Sequence, residues 1–116
     1  MAVITATSDF GPKDATLAKA KAHFIRRVKE LRWVDVSHEV EPHNIQQASF
    51  LLKRAFTSFP TGTIHVVFVG SSPQQGLTYV CIKANGQYFI AANNGILPSL
   101  LMEAKITDAR TLDIRG

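Results

Sequence analysis

Residues Thr63 to Val69, reading TIHVVFV, form a nearly unbroken apolar and β-branched run. Such a run suits a central strand buried on both faces rather than a strand with one wet side. Two amphipathic patterns precede it. Leu17, Ala20, Phe24, Val28 and Leu31 recur at helical spacing behind Asp14, and Ile45, Ala48, Leu52, Phe56 and Phe59 do so behind Asn44. Asp14 and Asn44 are each of a type suited to cap a helix N-terminus, and Pro60 and Gly62 stop the second pattern. Short β-rich runs at Val3–Thr7 and Arg32–Val36 sit before these helices.

After the apolar run, Gly70–Gly76 reads as a flexible polar loop. Leu77–Ala84 and Gln87–Ala91 flank Asn85-Gly86, a dipeptide suited to the left-handed conformations of a tight hairpin turn. A short helix is expected over Ile96–Glu103, with Pro98 tolerable only in its first turn, and one more strand over Ile106–Ile114. The order β-α-β-α-β, then hairpin, helix and strand, predicts a single-domain α/β fold with a mostly parallel central sheet flanked by helices. At 116 residues, 46% hydrophobic and 19% charged, the chain has the length and composition of one globular domain with its own core.

The net charge of +4 is the balance of 13 Lys and Arg against 9 Asp and Glu, and the basic residues are densest from Lys19 to Arg32, on a helix face where aromatic rings are not interleaved. That favours a solvated helix face over a nucleic-acid footprint. The lone Cys81 cannot form an intrachain disulfide, no signal-peptide pattern opens the chain, and no apolar run approaches the roughly 20 residues that span a bilayer. The expectation is a cytoplasmic protein with neither nucleic acid nor membrane as partner.

Ligands of open α/β sheets sit beyond the carboxyl ends of the strands. That rule selects the loops carrying Asp9, His38–Asn44 and Gly70–Gly76, which should converge on one edge. A carboxylate such as Asp9 can accept from both hydroxyls of a vicinal diol, or simply cap its own loop. Asp35, inside a strand, is either a site residue or a partner for neighbouring amides. His38 and His43, with Glu39 and Glu41 between them, lack helical i, i+4 geometry, and nothing demands a metal. Cys81 reads as a small core residue, and neither GxGxxG nor GxxxxGK[ST] occurs. No catalytic nucleophile arrangement stands out.

Thr7-Ser8-Asp9-Phe10-Gly11, Val34-Asp35-Val36-Ser37-His38, Pro42-His43-Asn44-Ile45, Phe59-Pro60-Thr61-Gly62-Thr63-Ile64-His65-Val66 and Asn93-Asn94-Gly95-Ile96-Leu97 follow one another along the chain. Together they resemble the landmarks, in order, of the N-terminal domain of the S-adenosyl-L-methionine (SAM) hydrolase and halogenase (chlorinase-fluorinase) family. The resemblance implies enzymes that split SAM with water to adenosine and methionine, and relatives that use halide as nucleophile. SAM is then substrate and no cofactor is implied.

By the same resemblance Asp9 would bind ribose hydroxyls, and the substrate-binding set would be Asp9, Phe10, His43, Asn44, Gly70 and Ser71. His43 stands where members often carry an aromatic ring. The hydrolases are credited with an Asp, Arg and His set near the attacking water. Where the family's third strand runs into an Asp-Pro-Gly-Val-Gly loop and an Arg, this chain has Gly70-Ser71-Ser72-Pro73-Gln74-Gln75-Gly76, without acid or base. The family's His and a smaller C-terminal β-domain fall beyond Gly116, and its site is completed by a neighbouring subunit of a trimer.

Three expectations follow. The chain is a divergent or truncated SAM hydrolase, an inactive module that binds adenosine or SAM, or a structural oligomerisation domain.

Overall fold

The computed structural model describes residues 2–11, 15–70 and 79–112. Its elements run β1 (Ala2–Ser8), α1 (Ala15–Arg27), β2 (Leu31–Ser37), α2 (Ile45–Ala55), a 3-10 turn (Phe56–Ser58), β3 (Ile64–Phe68), β4 (Tyr79–Ala84), β5 (Gln87–Ala92), α3 (Ile96–Leu100) and β6 (Ile106–Leu112). The expected Asp14 cap, most of the Gly70–Gly76 loop and the end of the last expected strand lie outside the described residues.

The six strands among the described residues form one sheet in the order β2-β1-β3-β5-β4-β6. β1 pairs in parallel with β2 and β3, and β3 with β5, whereas β4 runs antiparallel to both β5 and β6. The sheet is therefore mixed, and the expectation of a mostly parallel sheet is corrected. The cause is the hairpin. Asn85 (φ 52°) and Gly86 (φ 76°) make a two-residue turn with both residues left-handed, which returns the chain antiparallel beside itself. The chain then passes from β5 through α3 to the far side of β4, where β6 pairs antiparallel with β4.

β3 takes an interior place, with His65, Val66 and Val67 buried. One face of the sheet packs its Val67, Phe89, Ala91 and Ala84 against Ala48 and Leu52 of α2 and Ile96, Leu97 and Leu100 of α3. α2 begins where expected, since the Asn44 carboxamide oxygen accepts from the Gln47 amide at 3.0 Å. Lys53 and Arg54 in its last turn complement the negative end of the helix dipole.

Two helical patterns overran their helices. α1 stops at Arg27 and the chain turns through Glu30 (φ 54°), so Leu31 opens β2 rather than closing a helix. Likewise α2 tightens to a 3-10 turn at Phe56, and Phe59 is extended. In both places a sequence of helical spacing is spent on the return to the sheet. α1 is keyed to β2 by the tilted Phe24–Trp33 ring pair, 5.7 Å between centroids, with the Lys21 ammonium 5.7 Å from the Trp33 centroid.

Candidate functional site at the strand ends

β1, β2 and β3 run parallel, so the loops that follow them meet on one edge of the sheet. Asp9 is the meeting point. Its Oδ2 accepts from the His43 amide at 2.8 Å, beyond β2, and from the Gly70 amide at 3.1 Å, beyond β3. The Asp9 amide itself donates to Phe68 O at 3.3 Å. One carboxylate oxygen thus ties three strand ends together.

The backbone around Asp9 is shaped to present those amides. His43 adopts φ 60° and Gly70 φ 69°, both left-handed. At Gly70 a side chain would also be crowded: a Cβ would lie 2.9 Å from Asn94 Nδ2 and 3.5 Å from Ile45 Cγ2. Asn94 is fixed in turn, donating from Nδ2 to Val69 O at 2.9 Å and accepting the Ile96 amide at 3.2 Å. Glycine is the residue that fits here on both counts.

Of the residues expected in the site, Asp9, His43 and Gly70 are brought together, with the His43 ring exposed. Phe10 stacks on Phe68 at the end of β3, 5.6 Å between centroids. Asn44 is spent on capping α2. Ser71 lies outside the described residues.

A second set of polar side chains adjoins Asp9. Ser8 Oγ lies 2.6 Å from His38 Nδ1, and His38 Nε2 lies 2.8 Å from Asp35 Oδ1. The Trp33 indole N–H donates to the same Asp35 oxygen at 2.7 Å. Burial pushes the Asp35 carboxyl up, but the bonds from His38 and Trp33, with the charge of Lys21, outweigh it and hold the group below its ordinary value. Asp35 is half-exposed on β2, so its partners need not offset the cost of full burial. Ser8 was not singled out from the sequence, nor was the link from Asp35 to His38. The available signal was that both termini of this chain of contacts lie inside the motifs at Thr7–Gly11 and Val34–His38.

Both nitrogens of His38 are taken by Ser8 and Asp35. Among the described residues no group of three or more His, Cys, Asp or Glu gathers as a metal site would require. Cys81 is partly buried, and desolvation together with the nearby Asp108 raises its thiol pKa against the opposing Arg110, an environment that does not activate a thiolate. No helix among the described residues is long and apolar enough to cross a membrane.

The sequence profile described as the SAM hydroxide adenosyltransferase N-terminal domain matches residues 4–115. An (R)-S-adenosyl-L-methionine hydrolase of Methanocaldococcus jannaschii is 26% identical over 99 residues, covering 81% of this chain and 37% of the relative. A fluorinase of Actinopolyspora mzabensis is 28% identical, covering 92% of this chain and 44% of the relative. The crystal structure of an uncharacterised protein from Thermotoga maritima superposes with a TM-score of 0.86 at 31% identity, covering 96% of this chain and 43% of that one. The chain thus spans less than half the length of each of these proteins.

Proposed function

The chain belongs to the SAM hydroxide adenosyltransferase N-terminal domain family, and on that premise we propose that it supplies the nucleoside-recognising part of a SAM hydrolase-type site. Asp9 is the residue that binds the ligand's ribose hydroxyls. The observation that carries this reading is the convergence of three strand-end loops on one carboxylate.

An ionised carboxylate has about four acceptor positions on its two oxygens. Two of them, on Oδ2, are occupied by the His43 and Gly70 amides. Those two bonds fix the plane of the carboxylate, so Oδ1 is pre-oriented to accept from a ribose hydroxyl at little further ordering cost. In SAM the 5′ carbon carries a sulfonium leaving group, and displacement by water chiefly needs the nucleophile positioned and desolvated. Holding the ribose is the contribution this edge of the sheet makes.

A module that binds without turnover has one specific observation in its favour. Position 70, where the family places an acid, is a left-handed glycine whose would-be Cβ meets Asn94. A carboxylate is not accommodated there without moving Asn94 from Val69 O.

The test is calorimetric titration of the chain with adenosine and with SAM, compared between the native protein and Asp9→Asn. Asparagine keeps one oxygen for the two amides and replaces the other with a donor that cannot accept from a hydroxyl. Binding that weakens by about tenfold or more in Asp9→Asn, with thermal stability nearly kept, is expected from the loss of one charge-assisted bond. Equal affinity in the two proteins would remove Asp9 from the ligand site, and no binding of either ligand to the native chain would overturn the reading.

A further inference from the structure

Ser8, His38 and Asp35 line up a hydroxyl, an imidazole and a carboxylate, the three groups of a nucleophilic triad. Accessibility argues against that role. Ser8 is 0% exposed, and its Oγ also accepts the Phe10 amide at 3.4 Å, so the oxygen faces protein rather than a substrate. The work of the three groups has to be sought in what they hold.

Taken as a neutral ring, His38 has one donor and one acceptor nitrogen, and its partners assign which is which. Asp35 is an ionised acceptor that already receives the Trp33 indole, so His38 Nε2 carries the proton that it shares with Asp35. In the neutral ring Nδ1 is then bare and accepts from the Ser8 hydroxyl. The His38 backbone carbonyl meanwhile accepts the Gly11 amide at 2.8 Å. His38 therefore grips the turn after β1 on both sides of Asp9, through the side chain of Ser8 and the backbone of Gly11.

We propose that His38 is a positioning residue that clamps the Ser8–Gly11 turn to the end of β2, and so holds the Asp9 carboxylate on the amides of His43 and Gly70. His38 ties the turn to β2 ahead of the His43 loop, and Asp9 reaches across to both remaining loops. Asp35 and Trp33 orient the ring by its far nitrogen. The relevance of the clamp to nucleoside binding rests on the reading of Asp9 given above, whereas its mechanical role does not.

The test reads Asp9 directly, through amide hydrogen exchange of His43 and Gly70 by NMR. Rates are normalised to the amides of Val67 and Ala91 in the buried strands, so that a general loss of stability cancels. In His38→Leu and in Ser8→Ala, exchange at His43 and Gly70 is expected to rise by about tenfold relative to those references, the change that loss of one modest hydrogen bond produces. His38→Gln should recover most of the protection, because its carboxamide offers an acceptor and a donor joined through one carbon, as the two ring nitrogens are.

Exchange at His43 and Gly70 that moves only in step with Val67 and Ala91 would overturn the clamp, as would a Gln variant no better than Leu. Should His38→Leu fail to fold, Ser8→Ala removes the same contact while leaving the ring in place. Adenosine titration of the same proteins keeps the two ideas apart. Absence of binding to the native chain would refute the nucleoside reading, while the exchange rates still decide the clamp.

Discussion

Two histidines of this domain sit in similar chains of contacts and are put to different ends. His38 bridges Ser8 and Asp35 at the loop edge, and its partner carboxylate is half-exposed. His65 bridges Thr5 Oγ1, at 2.7 Å from Nδ1, and the Gln87 carboxamide oxygen, and it is wholly buried. Around it stand the rings of Phe89, stacked at 4.9 Å, and of Phe56 and Phe59, edge-on.

The difference lies in what terminates each chain. Gln87 is neutral and is itself satisfied, donating to the carbonyls of Phe56 and Phe59 at 3.0 and 3.2 Å. Burial therefore lowers the pKa of His65, only partly offset by the bond to Gln87, and the ring stays neutral within the core. It joins β1, β3 and β5 to the turn after α2. Asp35, by contrast, is a charge near solvent, and its contacts orient a ring that grips a loop. A buried polar network locks the scaffold, and a surface one positions what the scaffold carries.

The largest expected effect that would break this contrast is His65→Leu. It removes both bonds and leaves Thr5 and Gln87 buried without that partner, so a loss of about 3 kcal/mol is expected in urea unfolding. A loss no larger than that of a surface substitution would mean that the core network contributes little.

Next in size is an acid-side loss of stability. Because the folded-state pKa of His65 lies below its ordinary 6.5, the unfolded chain takes up a proton that the folded one resists. The stabilisation is full above that pH and declines as pH falls below it. Urea midpoints of native protein and His65→Gln, followed from about pH 7.5 to about pH 5.5, should therefore converge toward acid. Parallel curves would assign the acid sensitivity to other groups.

Smallest is Asp35→Asn. With the Asp35 side chain 50% exposed, its pairing with His38 should contribute under about 1 kcal/mol to global stability. A thermal melt that drops as far as in His65→Leu would erase the distinction between the two networks.

The sequence made the interior strand, the N-cap at Asn44 and the Asn85-Gly86 turn legible, because each depends on the intrinsic preferences of a few consecutive residues. The rule that parallel strands gather their C-terminal loops also pointed to the loops carrying Asp9, His38–Asn44 and Gly70–Gly76, while His43 and Gly70 themselves were named by the family resemblance. Tertiary structure alone decided that β6 returns antiparallel beside β4, that Leu31 and Phe59 leave their helical patterns, and that Ser8, His38 and Asp35 form one chain of contacts. The clamping contacts join residues 30, 34 and 61 positions apart. Such pairings are set by the register of whole strands and the packing beneath them, and local preference carries no information about either.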